Sequence, residues 1–190
     1  MPKIILASAS PRRQQLLNQI NIRHQIQIVE IDESPLQNEL PANYVQRLAA
    51  EKATTCMNKF KSNLPILTAD TAVVLGDKIM GKPKSKNDAC DMLRELSGNT
   101  HQVFTAIALF GKNSNSALSI TDVTFRTLSE NEILAYWDSG DPLDKAGSYA
   151  IQGLGSVFIE RINGSFSGVM GLPLFETAQL LALEGIEVIL

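Results

Sequence analysis

Cysteine and histidine are scarce in this chain, and their scarcity argues against several kinds of site. Its 190 residues contain only Cys56, Cys90, His24 and His101 of these two types. No two of the four stand at the spacing of metal ligands, which argues against a zinc site built on histidine and cysteine. Both cysteines fall on apolar faces of predicted helices, so we expect buried thiols in a reducing, cytoplasmic setting without disulfides. Catalysis would then rely on carboxylates, lysines and a hard cation.

Long apolar runs and blocks of basic residues are also missing. The first apolar run, residues 4–6, is too short for a secretion signal, and no run approaches the roughly 20 residues that span a membrane. The formal net charge is −3. We therefore expect neither a nucleic acid nor a membrane surface as partner. Basic residues at the ends of predicted elements suit a small polyanionic ligand better.

Hydrophobic residues make up 44% of the chain, and we predict a single domain over residues 1–190 with one substantial core. The alternation of strand and helix patterns predicts a mixed α/β fold with both parallel and antiparallel pairing. Strands are predicted at residues 3–7, 25–29, 65–69, 72–75, 103–110, 117–128 and 157–162. Helices are predicted at residues 11–20, 41–60, 86–96, 130–138 and 174–183.

The segment from Ile4 to Arg13 combines a short apolar strand with the start of a helix. Ser10 is placed to cap that helix, and proline is tolerated in its first turn. The helix N-terminus, the hydroxyl of Ser8 and the guanidiniums of Arg12 and Arg13 all favour an anion, of which phosphate fits best. The alternative is ordinary capping with two solvated arginines.

Two acidic segments offer candidate ligands or bases. The apolar run before Asp70 and Thr71 predicts a carboxylate at a strand end, able to hold Mg²⁺ or to take a proton from water. Alternatively, Asp70 merely caps a turn. Glu33 would be a metal ligand or the polar lip of a loop, and Asp32 is its substitute if the register differs by one residue.

Two lysines and a glycine-rich segment complete the set of candidates. Lys52 lies beside the apolar stripe of its helix, from which it would snorkel outwards or reach an anion. Lys82, in a predicted tight Gly-Lys-Pro turn, is either a surface residue or a phosphate contact. The segment from Gln152 to Gly155 is, on its own residues, typical of a simple glycine-rich turn.

Short motifs follow one another in order through nearly the whole chain. They are Ser8–Leu17, Asp32-Glu33, Arg47–Ala49, Glu51–Ala53, Ala69–Thr71, Gly81–Pro83, Leu96–Gly98, Val123–Phe125, Asp144–Gly153, Asn163–Ser165 and Gly171–Pro173. In this order they resemble the Maf family of nucleoside triphosphate pyrophosphatases.

The resemblance implies hydrolysis of a nucleotide between its α and β phosphates, with Mg²⁺ or Mn²⁺ as cofactor. It also implies an elongated α/β body with a deep central cleft, similar to inosine triphosphatases, and a dimer in many members. By motif match, Asp70 would accept the proton of the attacking water and, with Glu33, hold the metal. The phosphates would be bound by Ser8, Arg12, Arg13, Lys52 and Lys82, and the base would be sorted by Arg12, Thr71 and Gln152.

Within the family, Arg12, Asp70-Thr71 and Ile151–Gly153 resemble the branch that acts on dTTP and UTP. The branch that prefers 7-methyl-GTP commonly has tryptophan in place of Arg12 and Asp-Gln in place of Asp70-Thr71. Two alternatives of other classes are a nucleotide-binding regulator of septum formation without turnover and a nucleic-acid binder. The acidic balance opposes the second of these.

Overall fold

The computed structural model describes residue 1 and residues 3–189, and the described chain is built on a seven-stranded sheet. The strands are β1 (Ile4–Leu6), β2 (His24–Ile26), β3 (Ile66–Leu75), β4 (Lys78–Met80), β5 (Thr100–Phe110), β6 (Ser114–Phe125) and β7 (Ile159–Asn163). The helices are α1 (Pro11–Gln19), α2 (Pro41–Phe60), α3 (Lys86–Leu96), α4 (Glu130–Asp138), α5 (Phe166–Met170) and α6 (Leu174–Leu183). Two short 3₁₀ helices, Ala146–Ser148 and Leu154–Phe158, precede β7.

The sheet combines both kinds of pairing, as the sequence predicts. Its order is β2-β1-β3-β5-β6-β7, with β4 attached to β3. β1 runs parallel to β2 and β3, whereas the pairs from β3 through β5 and β6 to β7 are antiparallel. The predicted mixed α/β class is confirmed.

The edge of β3 opposite β5 is shared by two short strands that leave a gap between them. β1 pairs with β3 as far as Leu6 and Leu67, and β4 pairs with it only from Val73 onward. β5 pairs along the other edge throughout this stretch. Residues 68–72 therefore face the gap. The segments that follow β1 and β4 both lead into it.

Helices cover both faces of the sheet near this gap. The apolar stripe of α2, including Val45, Ala49 and Ala53, packs on Ala72 and Val74 of β3. The opposite face of β3 contacts α1 and α6 in a second cluster made by Leu16, Leu17, Leu67, Ala69, Leu180 and Leu181. Because successive strand side chains point to opposite faces, even-numbered residues of β3 face α2 and odd-numbered ones face the opposite side of the sheet.

Several sequence predictions need correction. The predicted strands 65–69 and 72–75 form one continuous strand, because the long antiparallel partner β5 pairs with all of it. Ser10 occupies the N-cap position of α1, but its side chain makes no capping hydrogen bond. Instead, its backbone N–H donates to Ser8 Oγ at 3.2 Å. β6 begins and ends three residues earlier than expected.

The burial of Cys56 and Cys90 is confirmed, since they are 0% and 2% exposed. Within the part of the chain that the structure describes, no helix has the length and apolar character needed to cross a membrane.

Candidate functional site

The gap beside β3 opens into a cavity of about 670 Å³. Each residue that sequence reasoning singled out as a site residue lines it: Ser8, Arg12, Arg13, Glu33, Lys52, Asp70, Thr71, Lys82 and Gln152. They come from separate parts of the chain: the end of β1 with α1, the loop before α2, α2 itself, β3, the segment after β4, and the turn between the two 3₁₀ helices. The structure thus brings all nine together.

Asp70 lines the cavity from the middle of β3, opposite Ala106 of β5, and not from a strand end as predicted. The gap in the sheet opens Asp70 to the cavity, as a position at a strand end would. Its side chain faces α2, where Oδ1 accepts a hydrogen bond from Lys52 Nζ at 2.7 Å. Burial raises the pKa of Asp70 above its usual value, and the charges of Lys52 and Arg13 partly oppose this rise.

Lys52 reaches inwards and connects two carboxylates. Its Nζ lies 2.6 Å from Glu33 Oε1 and 2.7 Å from Asp70 Oδ1. Burial acts to raise the pKa of Glu33, but the hydrogen bond and charge of Lys52, with the charges of neighbouring cations, hold it below its usual value. Asp32 does not line the cavity, and its side chain accepts a hydrogen bond from the backbone N–H of Ser34.

Arg13 is held by neutral acceptors on the α1 side of β3. Its Nε donates to the carbonyl of Gly171 at 2.7 Å, and its terminal nitrogens donate to Ser8 Oγ at 3.1 Å and Thr71 Oγ1 at 3.3 Å. Thr71 also shares a 3.0 Å hydrogen bond with Thr105. Arg13 is therefore fixed in orientation while its charge is compensated only at longer range, by Asp70 and Glu33.

Lys82 and Gln152 stand at the exposed side of the cavity. The predicted tight turn at residues 81–83 is wrong, because these residues form no turn and connect β4 to α3 as irregular chain. It is held instead by the carbonyl of Gly81, which accepts a hydrogen bond from the N–H of Gly147 at 3.1 Å. That contact could not be read from local sequence.

Two further lining residues, Tyr44 and Lys145, were given no role by sequence reasoning. The hydroxyl of Tyr44 donates to the carbonyl of Glu33 at 2.8 Å. Burial, with the nearby charges of Asp70 and Glu33, raises the pKa of Tyr44 to about 12. Lys145 belongs to the motif Asp144–Gly153, so its place in an ordered motif was the available signal. Tyr44 lies outside all of those motifs.

Known proteins resemble the sequence of this chain over nearly its whole length. The sequence matches the family described as Maf-like protein over residues 3–184. A dTTP/UTP pyrophosphatase of Pasteurella multocida (strain Pm70) is 50% identical, covering 96% of this chain and 96% of the relative. Another protein of that name, from Methylobacillus flagellatus, is 50% identical and covers 99% of this chain and 96% of the relative.

The fold has a more distant likeness as well. The Ham1 protein of Staphylococcus aureus superposes with a TM-score of 0.53 at 12% identity, covering 96% of this chain and 98% of that one. This likeness concerns the fold alone. The family match over nearly the whole sequence, together with relatives of half-identical sequence, shows that the chain belongs to the Maf family.

Proposed function

We propose that this protein hydrolyses dTTP and UTP between the α and β phosphates, releasing the nucleoside monophosphate and pyrophosphate. The observation that carries the proposal is one cavity lined by a buried carboxylate, Asp70, and by the cations Arg12, Arg13, Lys52 and Lys82. The names of the half-identical relatives support dTTP and UTP as substrates.

The cations of the cavity match the charge of a triphosphate. Arg13 offers its fork from the α1 side, Lys52 lies on the α2 side, and Lys82 stands at the exposed side. Charge that develops on phosphate oxygens during cleavage is best stabilised by groups that are already oriented. The bonds that Arg13 makes to Ser8, Thr71 and Gly171 supply this orientation.

Asp70 is the base in this proposal. It takes a proton from the water that attacks the phosphorus, and its raised pKa makes it a better proton acceptor than an ordinary carboxylate. Lys52, at 2.7 Å, keeps Asp70 ionised until the proton is transferred. Arg12, Thr71 and Gln152 would contact the nucleobase of the substrate and thereby select the nucleotide.

A divalent cation, Mg²⁺ or Mn²⁺, fits the donors present. Magnesium is usually held by one or two carboxylates together with substrate phosphates, and Glu33 and Asp70 face the same cavity. Over residue 1 and residues 3–189, no three His, Cys, Asp or Glu side chains gather into a metal site. The triphosphate would therefore complete the ligand set, and the bound cation would polarise the phosphates.

A panel of purified nucleoside triphosphates with detection of pyrophosphate and a metal series tests the proposal. We expect stoichiometric pyrophosphate from dTTP and UTP, and a loss of about 10²–10⁴-fold in kcat for Asp70→Asn. Asp77→Asn, which changes an exposed aspartate after the same strand, should keep wild-type turnover.

Three results would overturn the proposal in different ways. Wild-type turnover in Asp70→Asn would remove Asp70 as the base. Tight nucleotide binding with no product over hours would favour a non-catalytic regulator, and preference for 7-methyl-GTP would assign the chain to the other branch.

A further inference from the structure

The turn that carries Gln152 rests on two side chains near the end of α4, Tyr136 and Asp141. The Tyr136 hydroxyl donates to Asp141 Oδ2 at 2.8 Å and accepts from the N–H of Ala150 at 3.1 Å. Tyr136 is 4% exposed, so these bonds are shielded from water. A buried hydroxyl that both donates and accepts holds its two partners in a fixed relation.

Two glycines let this turn approach the pair more closely than other residues would. A Cβ on Gly153 would lie 2.5 Å from Asp141 Oδ2, and a Cβ on Gly155 would lie 2.7 Å from the Tyr136 hydroxyl. Since neither distance is available to a carbon atom, the backbone on the C-terminal side of Gln152 lies directly against these two polar groups.

Asp141 also connects this turn with cations of the cavity. Its Oδ1 lies 3.9 Å from Nζ of Lys145, which lines the cavity. Burial lowers the pKa of Arg12 and of Lys145, and in both cases the charge of Asp141 acts in the opposite direction. The turn of Gln152 and the cavity cation Lys145 thus have a common neighbour, Asp141, that does not itself line the cavity.

We infer that Asp141, held by the hydroxyl of Tyr136, is a positioning residue for nucleobase selection, because it supports the turn of Gln152 and supplies the counter-charge to Lys145. The inference rests on the proposed function, and it deepens it by naming what sets the base-reading groups in place.

UTP and CTP form the sharpest pair of substrates for a test. They share the sugar and the triphosphate and differ only in the donors and acceptors at one edge of the base. A carboxamide such as that of Gln152 distinguishes these edges only when its orientation is fixed. Misplacing it should therefore change the UTP-to-CTP ratio of kcat/KM more than it changes kcat for UTP.

The experiment compares Tyr136→Phe and Asp141→Asn with wild type. Tyr136→Phe removes the bridging hydroxyl and keeps the ring, while Asp141→Asn keeps the shape and removes the charge. For both variants we expect the UTP-to-CTP ratio to fall about tenfold, mainly through a higher KM for UTP, with kcat for UTP within about threefold of wild type. Asp138→Asn, at the exposed end of the same helix, should keep the wild-type ratio.

A purely structural role would lower the melting temperature and leave the ratio within twofold of wild type, which would overturn the inference. If both variants lose kcat for UTP and CTP equally while the ratio holds, the inference is likewise wrong. A wild-type enzyme that releases no pyrophosphate from UTP or dTTP would refute the proposed function itself, and the inference with it.

Discussion

At the scale of single residues, the site is organised by the alternation of charges Glu33, Lys52 and Asp70. Consecutive nitrogen–oxygen distances of 2.6 and 2.7 Å make Lys52 common to both carboxylates. Because Asp70 is buried, its ionisation depends on this neighbour more than an exposed carboxylate would. Two predictions follow from that dependence, one for activity and one for stability.

The first concerns the acidic side of the pH–rate profile. Asp70 must be ionised to accept a proton, so kcat/KM falls as the pH falls through its pKa. Lys52 lowers that pKa, and Lys52→Met should therefore move the acidic limb to higher pH by about one unit. The measurement is kcat/KM for dTTP across the acidic range.

The control for this profile is Lys82→Met, which also removes a cavity cation. Lys82 has no ion pair with Asp70 comparable to the 2.7 Å contact of Lys52. It should lower kcat/KM and leave the limb near its wild-type position. An equal displacement in both variants would show that the net charge of the cavity, and not the contact with Lys52, sets the pKa of Asp70.

The second prediction concerns the stability of Asp70→Asn. The pKa of Asp70 is raised in the folded protein, mainly by burial. Stability is therefore lost as the pH rises from the pKa of Asp70 in the unfolded chain through its pKa in the folded chain. Asparagine is neutral at every pH, so this variant should melt at or a few degrees above the wild-type temperature at pH 7.

Thermal melting of wild type and Asp70→Asn at pH 7 checks this, with Asp77→Asn as the exposed counterpart. A clear drop in the melting temperature would mean that pairing with Lys52 outweighs the cost of burying the carboxylate.

At the scale of elements, side chains of α2 anchor the irregular loop that connects β2 to α2. The Tyr44 hydroxyl donates to the carbonyl of Glu33. Arg47 donates to both carboxylate oxygens of Glu39, at 2.6 and 2.8 Å, and to the carbonyl of Ser34 at 3.1 Å. The loop has no helix or strand of its own, so these bonds from neighbouring turns of α2 determine where Glu33 stands.

We expect Arg47→Lys to loosen this loop. A lysine has one nitrogen and no fork, so it would not serve Glu39 and Ser34 together. The expected results are faster proteolysis within residues 33–39 and a KM raised severalfold, with a stability loss of about 1 kcal/mol or less because the ion pair is partly solvated.

Arg94→Lys is the matched control, since Arg94 makes a similar fork to Glu130 between α3 and α4, on the exposed surface. It should change neither KM nor the cleavage of the loop. Identical proteolysis of wild type and Arg47→Lys would contradict the assigned role of Arg47.

At the scale of the whole molecule, His101 couples stability to pH. It is 1% exposed and packs edge-on against Phe125 and Tyr149, with ring centroids 5.0 and 5.4 Å away. Its Nε2 shares a 2.8 Å hydrogen bond with the Tyr149 hydroxyl, while Nδ1 has no hydrogen-bond partner among the described residues. Burial lowers the pKa of His101 to about 4.

As the pH falls, the unfolded chain therefore takes up a proton at His101 near the ordinary pKa of 6.5, at a higher pH than the folded chain does. The contribution of neutral His101 is complete above pH 6.5 and is lost as the pH falls towards about 4. The loss amounts to about 3 kcal/mol over that range. Denaturant unfolding at several pH values measures it.

His101→Gln should remove this part of the acid dependence, because glutamine stays neutral and still offers a partner to Tyr149. His24→Gln, on the short strand β2, should keep the wild-type dependence. Parallel stability curves for His101→Gln and wild type from pH 7 to pH 4 would show that other groups cause the acid sensitivity.

Much of the local structure follows from neighbouring residues alone. The predicted bounds of α2, α3, α4 and α6 are confirmed, because helix periodicity and end signals act over only a few residues. Ser129 and Glu132, three residues apart, form a capping box at the start of α4, and Gly98 adopts the left-handed conformation directly after α3. The motif order also identified the family and the set of nine cavity residues.

What depended on contacts between distant segments required the tertiary structure. The continuity of β3 depends on its pairing with β5. In this pairing Asp70 lies opposite Ala106, which is more than thirty residues further along the chain. The gap between β1 and β4 turns a mid-strand aspartate into a cavity residue, and the inward direction of Lys52 is set by carboxylates on β3 and on the preceding loop. The sequence by itself thus determined the helices, the family and the identity of the charged groups, because these rest on short-range patterns. Only the fold decided which charges meet, because strand pairing and burial join residues that the chain keeps far apart.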